Sequence, residues 1–482
     1  MSKRRLRSNR SAAKDLAASR CVFSSPARDW KTRSDILNWH KLNTISTMLM
    51  PWKKHERWRD VTSRLRQPYK STLDYDSRLI YIARPRLAAK KVQKRLDQYF
   101  QDGFFDTKCV FEEILPVIDR LVLEAPETFK GVTIQPLPID STRSIAYTRR
   151  EVATLIALMW YNLLDYDYMM VGDEFIADID NYGQPNLQTI WDNDSNFFID
   201  CLFNYFRRVG EMSIDYEFDM QRIIFRRYAS TANTDYSTCT NSFTQLSLGD
   251  GDSDRSTARL HVISASSTVG GRGFKNAPTH EEIVMMTRPE SLALLLFGPH
   301  PAYKQMNVVI GAEQMSLHAG IATTVRFVAN YNEPLPVAEI GSLSTYQIAN
   351  VFAPPSRATS SQKQFMTDFS GDVHQLQCAM ESVGLKPGES VSFGYWGYDM
   401  NGSPPRLRVI QALLASAAAK LAIHLFVSDG ETRDSMDVFY DWLNDRNVAE
   451  VYCLYRECIA EAWAEHKIHI SGIDHIQMLL DG

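Results

Sequence analysis

The sequence predicts an α/β fold preceded by an all-α region, on three observations. From residue 258 onward, short apolar runs rich in β-branched residues alternate with helical runs, the pattern of an α/β layer structure. Between residues 46 and 228 the apolar positions recur mainly at helical spacing instead, which gives helices packed on helices. Residues 229–257 are rich in Ser, Thr, Asp and Gly and read as a polar loop joining the two.

Composition sets the outer bounds. The 482 residues are 44% apolar and 23% charged, as in a soluble globular protein with one large domain or two of ordinary size. A net charge of −4 does not point to specific nucleic-acid binding. The seven cysteines lie at 21, 109, 201, 239, 378, 453 and 458. They form no CxxC pair and no His/Cys ligand spacing, so a reduced compartment is expected, with no metal and no cofactor. Cys453 and Cys458 read as helix packing. No apolar run is long enough to span a bilayer, so no membrane partner is expected.

The first segment, 1–45, is basic and Ser-rich without an apolar signal core. It reads as a disordered tail. The cluster Lys3, Arg4, Arg5 and Arg7 suits a nuclear address or an arm for a polyanion, and the expected location is nucleus or cytoplasm. In Phe111–Phe129, Ile114, Leu115, Ile118, Leu121 and Val122 form a helical stripe. Thr148 and Glu151 have capping-box spacing and open a buried helix. Asn196–Val209 reads as another helix, ending on Arg207-Arg208. Strands are expected at Leu260–Ile263, Met306–Ile310, Val391–Phe393 and Ala422–Val427, with helices at 281–297 and 406–420.

The chemically suggestive stretch is Thr268–Ile283, TVGGRGFKNAPTHEEI. Gly270, Gly271 and Gly273 allow positive φ and close approach to a ligand. Glu281 and Glu282 follow, and two neighbouring acids can supply a proton donor and a sugar anchor for glycosidic cleavage. The same two residues also suit an ordinary helix start, where the dipole favours acids.

This stretch resembles the signature of poly(ADP-ribose) glycohydrolases, a triple-Gly loop followed by Gln-Glu-Glu. Arg272 interrupts the glycines and His280 replaces the Gln. Further blocks agree in order between residues 48 and 470. These are Leu49-Met50-Pro51-Trp52 with Trp58, the three helical segments up to YFRRV, GAEQMSLHAGIATTVRF, GYWGYDMNGSPPRLRVIQALLASAAA, and SDGETRD with FYDWL.

The resemblance implies a macrodomain-like mixed sheet flanked by helices over 258–475. It implies hydrolysis of ribose–ribose O-glycosidic bonds of poly(ADP-ribose), releasing ADP-ribose. Glu282 would be the acid and Glu281 would hold ribose hydroxyls. Ser266, Gly270, Gly271, Gly273, His280, His318, Trp396, Gly397, Gly402 and Phe426 would contact the ligand. Expected partners are the polymer, ADP-ribose and poly(ADP-ribosyl)ated proteins, and a monomer is expected.

Several positions depart from the family pattern. Ile263 stands at an acceptor position of the strand end, Asp399 in the diphosphate loop, and Val427 at the adenine-stacking aromatic. Met315, His318 and Ile321 stand where the family has tyrosines. These departures support a second reading, a non-catalytic binding or scaffold protein on the same fold. A third is hydrolysis of another ADP-ribosyl linkage.

Overall fold

The computed structural model describes residues 50–331, 349–353, 362–394, 404–426, 430–466 and 474–481. Within the first range, positions 54, 70–71, 83–88, 133, 165–169, 172–173, 176–186, 213–217, 219, 232, 250–252, 254–255, 257, 267, 272 and 275–276 are excepted. The basic tail at 1–45 lies outside the described residues, as do Trp396, Gly397, Asp399, Gly402 and Val427.

The helical layer contains α1 (His55–Leu65), α2 (Thr72–Ile82), α3 (Ala89–Asp102), α4 (Leu115–Thr128), α5 (Arg149–Trp160) and α6 (Phe197–Met212). In α4, Leu115, Ile118, Leu121 and Val122 of the sequence stripe are all buried. α5 begins at the expected capping box. The Thr148 hydroxyl accepts the Glu151 N–H at 3.2 Å, and a Glu151 carboxylate oxygen accepts the Thr148 N–H at 2.8 Å. Two donors left over at the helix start are thereby satisfied.

Among the described residues the strands, in chain order, are β1 (Arg143–Thr148), β2 (Met170–Val171), β3 (Glu174–Phe175), β4 (Arg222–Ala229), β5 (Leu246–Gly249), β6 (Leu260–Ser264), β7 (Gln305–Ile310), β8 (Ser316–Ala319), β9 (Arg326–Asn330), β10 (Ala349–Ala353), β11 (Ser390–Phe393) and β12 (Ala422–Phe426). Eight form one mixed sheet in the order β1-β4-β7-β10-β6-β11-β12-β5. Pairing is antiparallel from β1 to β10 and parallel from β10 to β5. A helical region followed by a mixed sheet flanked by helices is the architecture expected from the sequence.

The sequence reading of 46–228 as mainly helical misses β1 and most of β4, and the loop reading of 229–257 misses β5. β4 reads RIIFRRYA, and adjacent arginines hide a central strand. Arg227 is nevertheless fully buried. It donates to the carbonyls of Ile139 at 3.1 Å, Pro299 at 3.4 Å and His300 at 3.2 Å, and to Asn307 Oδ1 at 3.2 Å. Those acceptors offset the cost of burying the guanidinium. β5 is a four-residue edge strand in a polar stretch, too short to alternate visibly.

Alternation divides the sheet between two cores. Ile223, Phe225, Ile263 and Val309 pack with the helical layer. Leu260, Val262, Val308, Val391, Phe393, Ile423 and Leu425 pack with the C-terminal helices. Between the sheet and the helical layer lies α7 (His280–Thr287). The single helix expected over 281–297 is broken after Thr287. Pro289 disfavours helical backbone at Arg288, which sits at φ −123° and ψ 71°, and a 3₁₀ turn and one α turn follow. Among the described residues no helix is long and apolar enough to cross a membrane.

A buried ion network ties the helical layer to the chain beyond α7. Arg149 donates to Glu290 at 2.8 Å, to Glu313 at 2.7 Å and to the Gly311 carbonyl at 3.0 Å. Glu290 also accepts the Glu313 N–H at 3.0 Å. Removing one partner of such a set strands the others, at a cost of about 3–5 kcal/mol. Arg149→Met is therefore expected to lower unfolding stability by that amount in denaturant titration, and an unchanged midpoint would contradict the network's role.

Candidate active site

Glu281 and Glu282 sit at the start of α7, next to the carboxyl end of β6. Beyond the carboxyl ends of parallel strands is where α/β sheets bind ligands. Both side chains are buried, at 1% and 0% exposure. Buried carboxyl groups must find donors, and here the chain around them supplies the donors.

Glu281 accepts the Ser266 N–H at 2.8 Å on one oxygen and the Gly270 N–H at 2.9 Å on the other. It thereby fastens the end of β6 to the glycine loop. Glu282 accepts the Phe274 N–H at 2.7 Å on Oε1. Its Oε2 accepts the Thr279 N–H at 2.7 Å and the Thr279 hydroxyl at 3.1 Å. Thr279 and Glu282 form a second capping box.

The loop needs its glycines to make these contacts. Gly270, Gly271 and Gly273 have φ of 84°, 61° and 78°. A Cβ on Gly271 would lie 2.9 Å from Thr279 Oγ1 and 3.1 Å from Glu282 Cγ. Phe274 adopts φ 57° without being glycine. The helical layer holds it there: its ring meets Phe198 at 5.9 Å edge-on, and its carbonyl accepts from Asn193 at 3.3 Å. Val269 N–H donates to His300 Nδ1 at 3.1 Å. Burial, with Arg227 nearby, holds His300 below the usual histidine range, consistent with a neutral ring accepting that bond.

Burial raises the Glu281 pKa to about 8, against the lowering effect of the Ser266 and Gly270 N–H groups, with the Glu282 charge adding a smaller upward push. Glu282, beside it, accepts from the Phe274 N–H and from the Thr279 N–H and hydroxyl.

The structure thus gathers Ser266, Gly270, Gly271, Gly273, His280, Glu281 and Glu282 into one strand–loop–helix unit. The Ser266 hydroxyl accepts the Thr268 N–H at 3.2 Å. His318 is buried on β8, its ring 6.4 Å from Phe197. Phe426 ends β12, two strands across the sheet from β6. Register places it on the Ile263 face, opposite Val262, Phe393 and Leu425. A Cβ on Gly249 would meet the Phe426 ring at 2.4 Å. Thr279, Asn193 and His300 lie outside the site residues expected from the sequence. Only Thr279 carried a signal, the T-x-x-E spacing before an apolar run.

A cavity of about 320 Å³ lined by Ser247, Arg259, Glu389 and His424 lies at the other end of the parallel strands. Among the described residues no three His, Cys, Asp or Glu side chains are grouped to hold a metal.

A helical layer against a mixed sheet, with a buried glutamate pair on a glycine loop, defines a macro-fold protein with a helical partner domain. Family models agree with that division. The helical domain of poly(ADP-ribose) glycohydrolase matches residues 105–227, and its macro domain fold matches residues 233–434. The chain belongs to the poly(ADP-ribose) glycohydrolase family. It is similar to poly(ADP-ribose) glycohydrolase 1 of Arabidopsis thaliana, 23% identical over 246 residues. That match spans 47% of this chain and 43% of the relative.

Two outcomes are expected. Replacing Gly273 by Ala, where nothing lies within 4 Å of the new Cβ, adds only left-handed strain of roughly 1–2 kcal/mol. Gly271→Ala adds the clash with Thr279 and Glu282, so its loss in thermal or denaturant unfolding should be clearly larger; equal losses would refute the close approach.

The second concerns pH. A folded-state pKa raised to about 8 means the folded chain holds a proton that the unfolded chain releases near the ordinary value of about 4.3. The associated stability is full below that value and is lost as pH rises through about 8. Glu281→Gln should flatten this part of the stability–pH curve between pH 5 and 8, as read by unfolding midpoints. An unaltered slope would exclude the shift.

Proposed function

We propose that the chain is a poly(ADP-ribose) glycohydrolase-type hydrolase, cleaving ribose–ribose O-glycosidic bonds to release ADP-ribose. The observation that carries this reading is the buried Glu281–Glu282 pair on its glycine loop beside β6, within a chain of that family. Cleavage of the bond needs a proton for the departing ribose oxygen and a hold on the sugar hydroxyls, while water attacks the oxocarbenium-like carbon. Two adjacent carboxyls can divide these tasks. The family resemblance gives the proton to Glu282 and the hydroxyl anchor to Glu281. Protonation of Glu281 to about pH 8 relieves the repulsion between two neighbouring carboxylates.

The test is release of ADP-ribose from radiolabelled polymer. Glu282→Gln keeps the size and hydrogen-bonding reach of the side chain but delivers no proton. It should lower turnover by about 10²–10⁴-fold and leave ADP-ribose affinity, measured by calorimetry, close to wild type. Glu281→Gln should weaken affinity and turnover together. A wild-type rate for Glu282→Gln removes the acid assignment. A folded wild-type chain that binds ADP-ribose without releasing it from polymer would instead be a binding protein.

A further inference from the structure

Thr279 is the residue that decides which way Glu282 points. Its hydroxyl accepts the Glu282 N–H at 3.4 Å, which directs the hydroxyl proton outward to Glu282 Oε2 at 3.1 Å. The Thr279 N–H reaches the same oxygen at 2.7 Å, and the Phe274 N–H takes Oε1 at 2.7 Å. A carboxyl group gripped at both oxygens from two sides is fixed in rotation as well as in place. Phe274 cannot supply this alone, because its N–H is a single donor to a single oxygen. Gly271 closes the remaining side, its Cα so near that an added Cβ would fall within 3.2 Å of Glu282 Cδ.

We propose that Thr279 is a positioning residue for the hydrolysis, holding the Glu282 carboxyl in the one orientation from which it serves the glycosidic oxygen. The proposal rests on the reading of the chain as a glycohydrolase. Thr279 does not itself touch substrate; it acts through Glu282. A purely structural N-cap would behave differently. Losing a cap weakens the helix start and the fold as a whole, whereas losing a positioning contact lowers the rate of the chemical step at unchanged substrate binding.

Three variants separate these roles. Thr279→Val keeps the shape and removes the hydroxyl. Thr279→Ser restores the hydroxyl. Thr279→Gly removes the hydroxyl at a residue type that still tolerates the cap position, and stands in if the Val variant does not fold. Each is assayed for ADP-ribose release from polymer, with folding checked by circular dichroism.

The Val variant should lose about 10- to 100-fold in kcat with KM within about twofold of wild type, since the sugar anchor is untouched. The Ser variant should return to within about threefold of the wild-type rate, since its hydroxyl remakes the same bond. Wild-type kcat in the Val and Gly variants, or a Ser variant as slow as Val, overturns the proposal.

A second readout is independent of turnover. In proton NMR, the Phe274 amide should be protected from exchange and shifted downfield in wild type and Ser. In Val and Gly it should exchange faster and move upfield, because Oε2 then keeps only the residue-279 N–H and the carboxyl is held less firmly. An unchanged Phe274 amide in the Val variant overturns the proposal even if the chain proves inactive on polymer. Inactivity of the wild type, with the amide behaving as expected, would count against the glycohydrolase reading and leave the positioning contact in place.

Discussion

The structure around the site depends on one constraint: two adjacent carboxyl groups are taken out of water and must be met by donors. The backbone N–H groups of Ser266, Gly270, Phe274 and Thr279 donate to them, as does the Thr279 hydroxyl. Backbone donors are free for such use only where the chain is neither in a ladder nor inside a helix. The segment from the end of β6 to the start of α7 is that place. Turning its N–H groups inward from both sides requires left-handed backbone at Gly270, Gly271 and Gly273, which glycine reaches without steric penalty. Strand end, loop and helix start are therefore a single unit, and a change in any one is felt at the carboxyls.

The helical layer is the other half of this arrangement. Phe274 sits in left-handed backbone against its own steric preference, and its ring is buried against Phe198 of α6 while Asn193 takes its carbonyl. At the far end of α7, Arg149 of α5 binds Glu290 and Glu313. Asn204 of α6 donates to the Met315 carbonyl at 2.7 Å and the Ser316 hydroxyl at 3.1 Å, which seats the β8–β9 hairpin. The glycine loop, the chain beyond α7 and the hairpin that follows are each held by side chains from a different helix or loop of that layer.

Much of this was legible in the sequence, and the failures have physical causes. Alternating strands and helices beyond residue 258 gave the layer type, because period-two and period-3.6 patterns cannot be exchanged. The Thr148–Glu151 capping box was legible because it is local. At Thr279–Glu282 the glutamates read as a helix start through the dipole, and the T-x-x-E spacing that makes the start a capping box is equally local. β4 was hidden by Arg226 and Arg227: one buried arginine satisfied by distant carbonyls has no local signature. The break at Arg288 was signalled by Pro289, but the apolar run continuing to Phe297 outweighed it in a reading by periodicity alone.

The departures from the family pattern sort by where their side chains lie. Ile263 and Met315 are 0% exposed and belong to the core shared with the helical layer. An apolar side chain there adds to packing, with roughly 1.5–3 kcal/mol available from full burial of such a residue. His318 is buried against Phe197. Ile321, at the turn of the β8–β9 hairpin, is 66% exposed and contributes little to the core. At these buried positions an apolar side chain packs the core in exchange for hydrogen-bonding capacity. The glutamate pair is exempt from that exchange. Its carboxyls are held mainly by main-chain donors, which side-chain substitution leaves in place, the Thr279 hydroxyl being the exception.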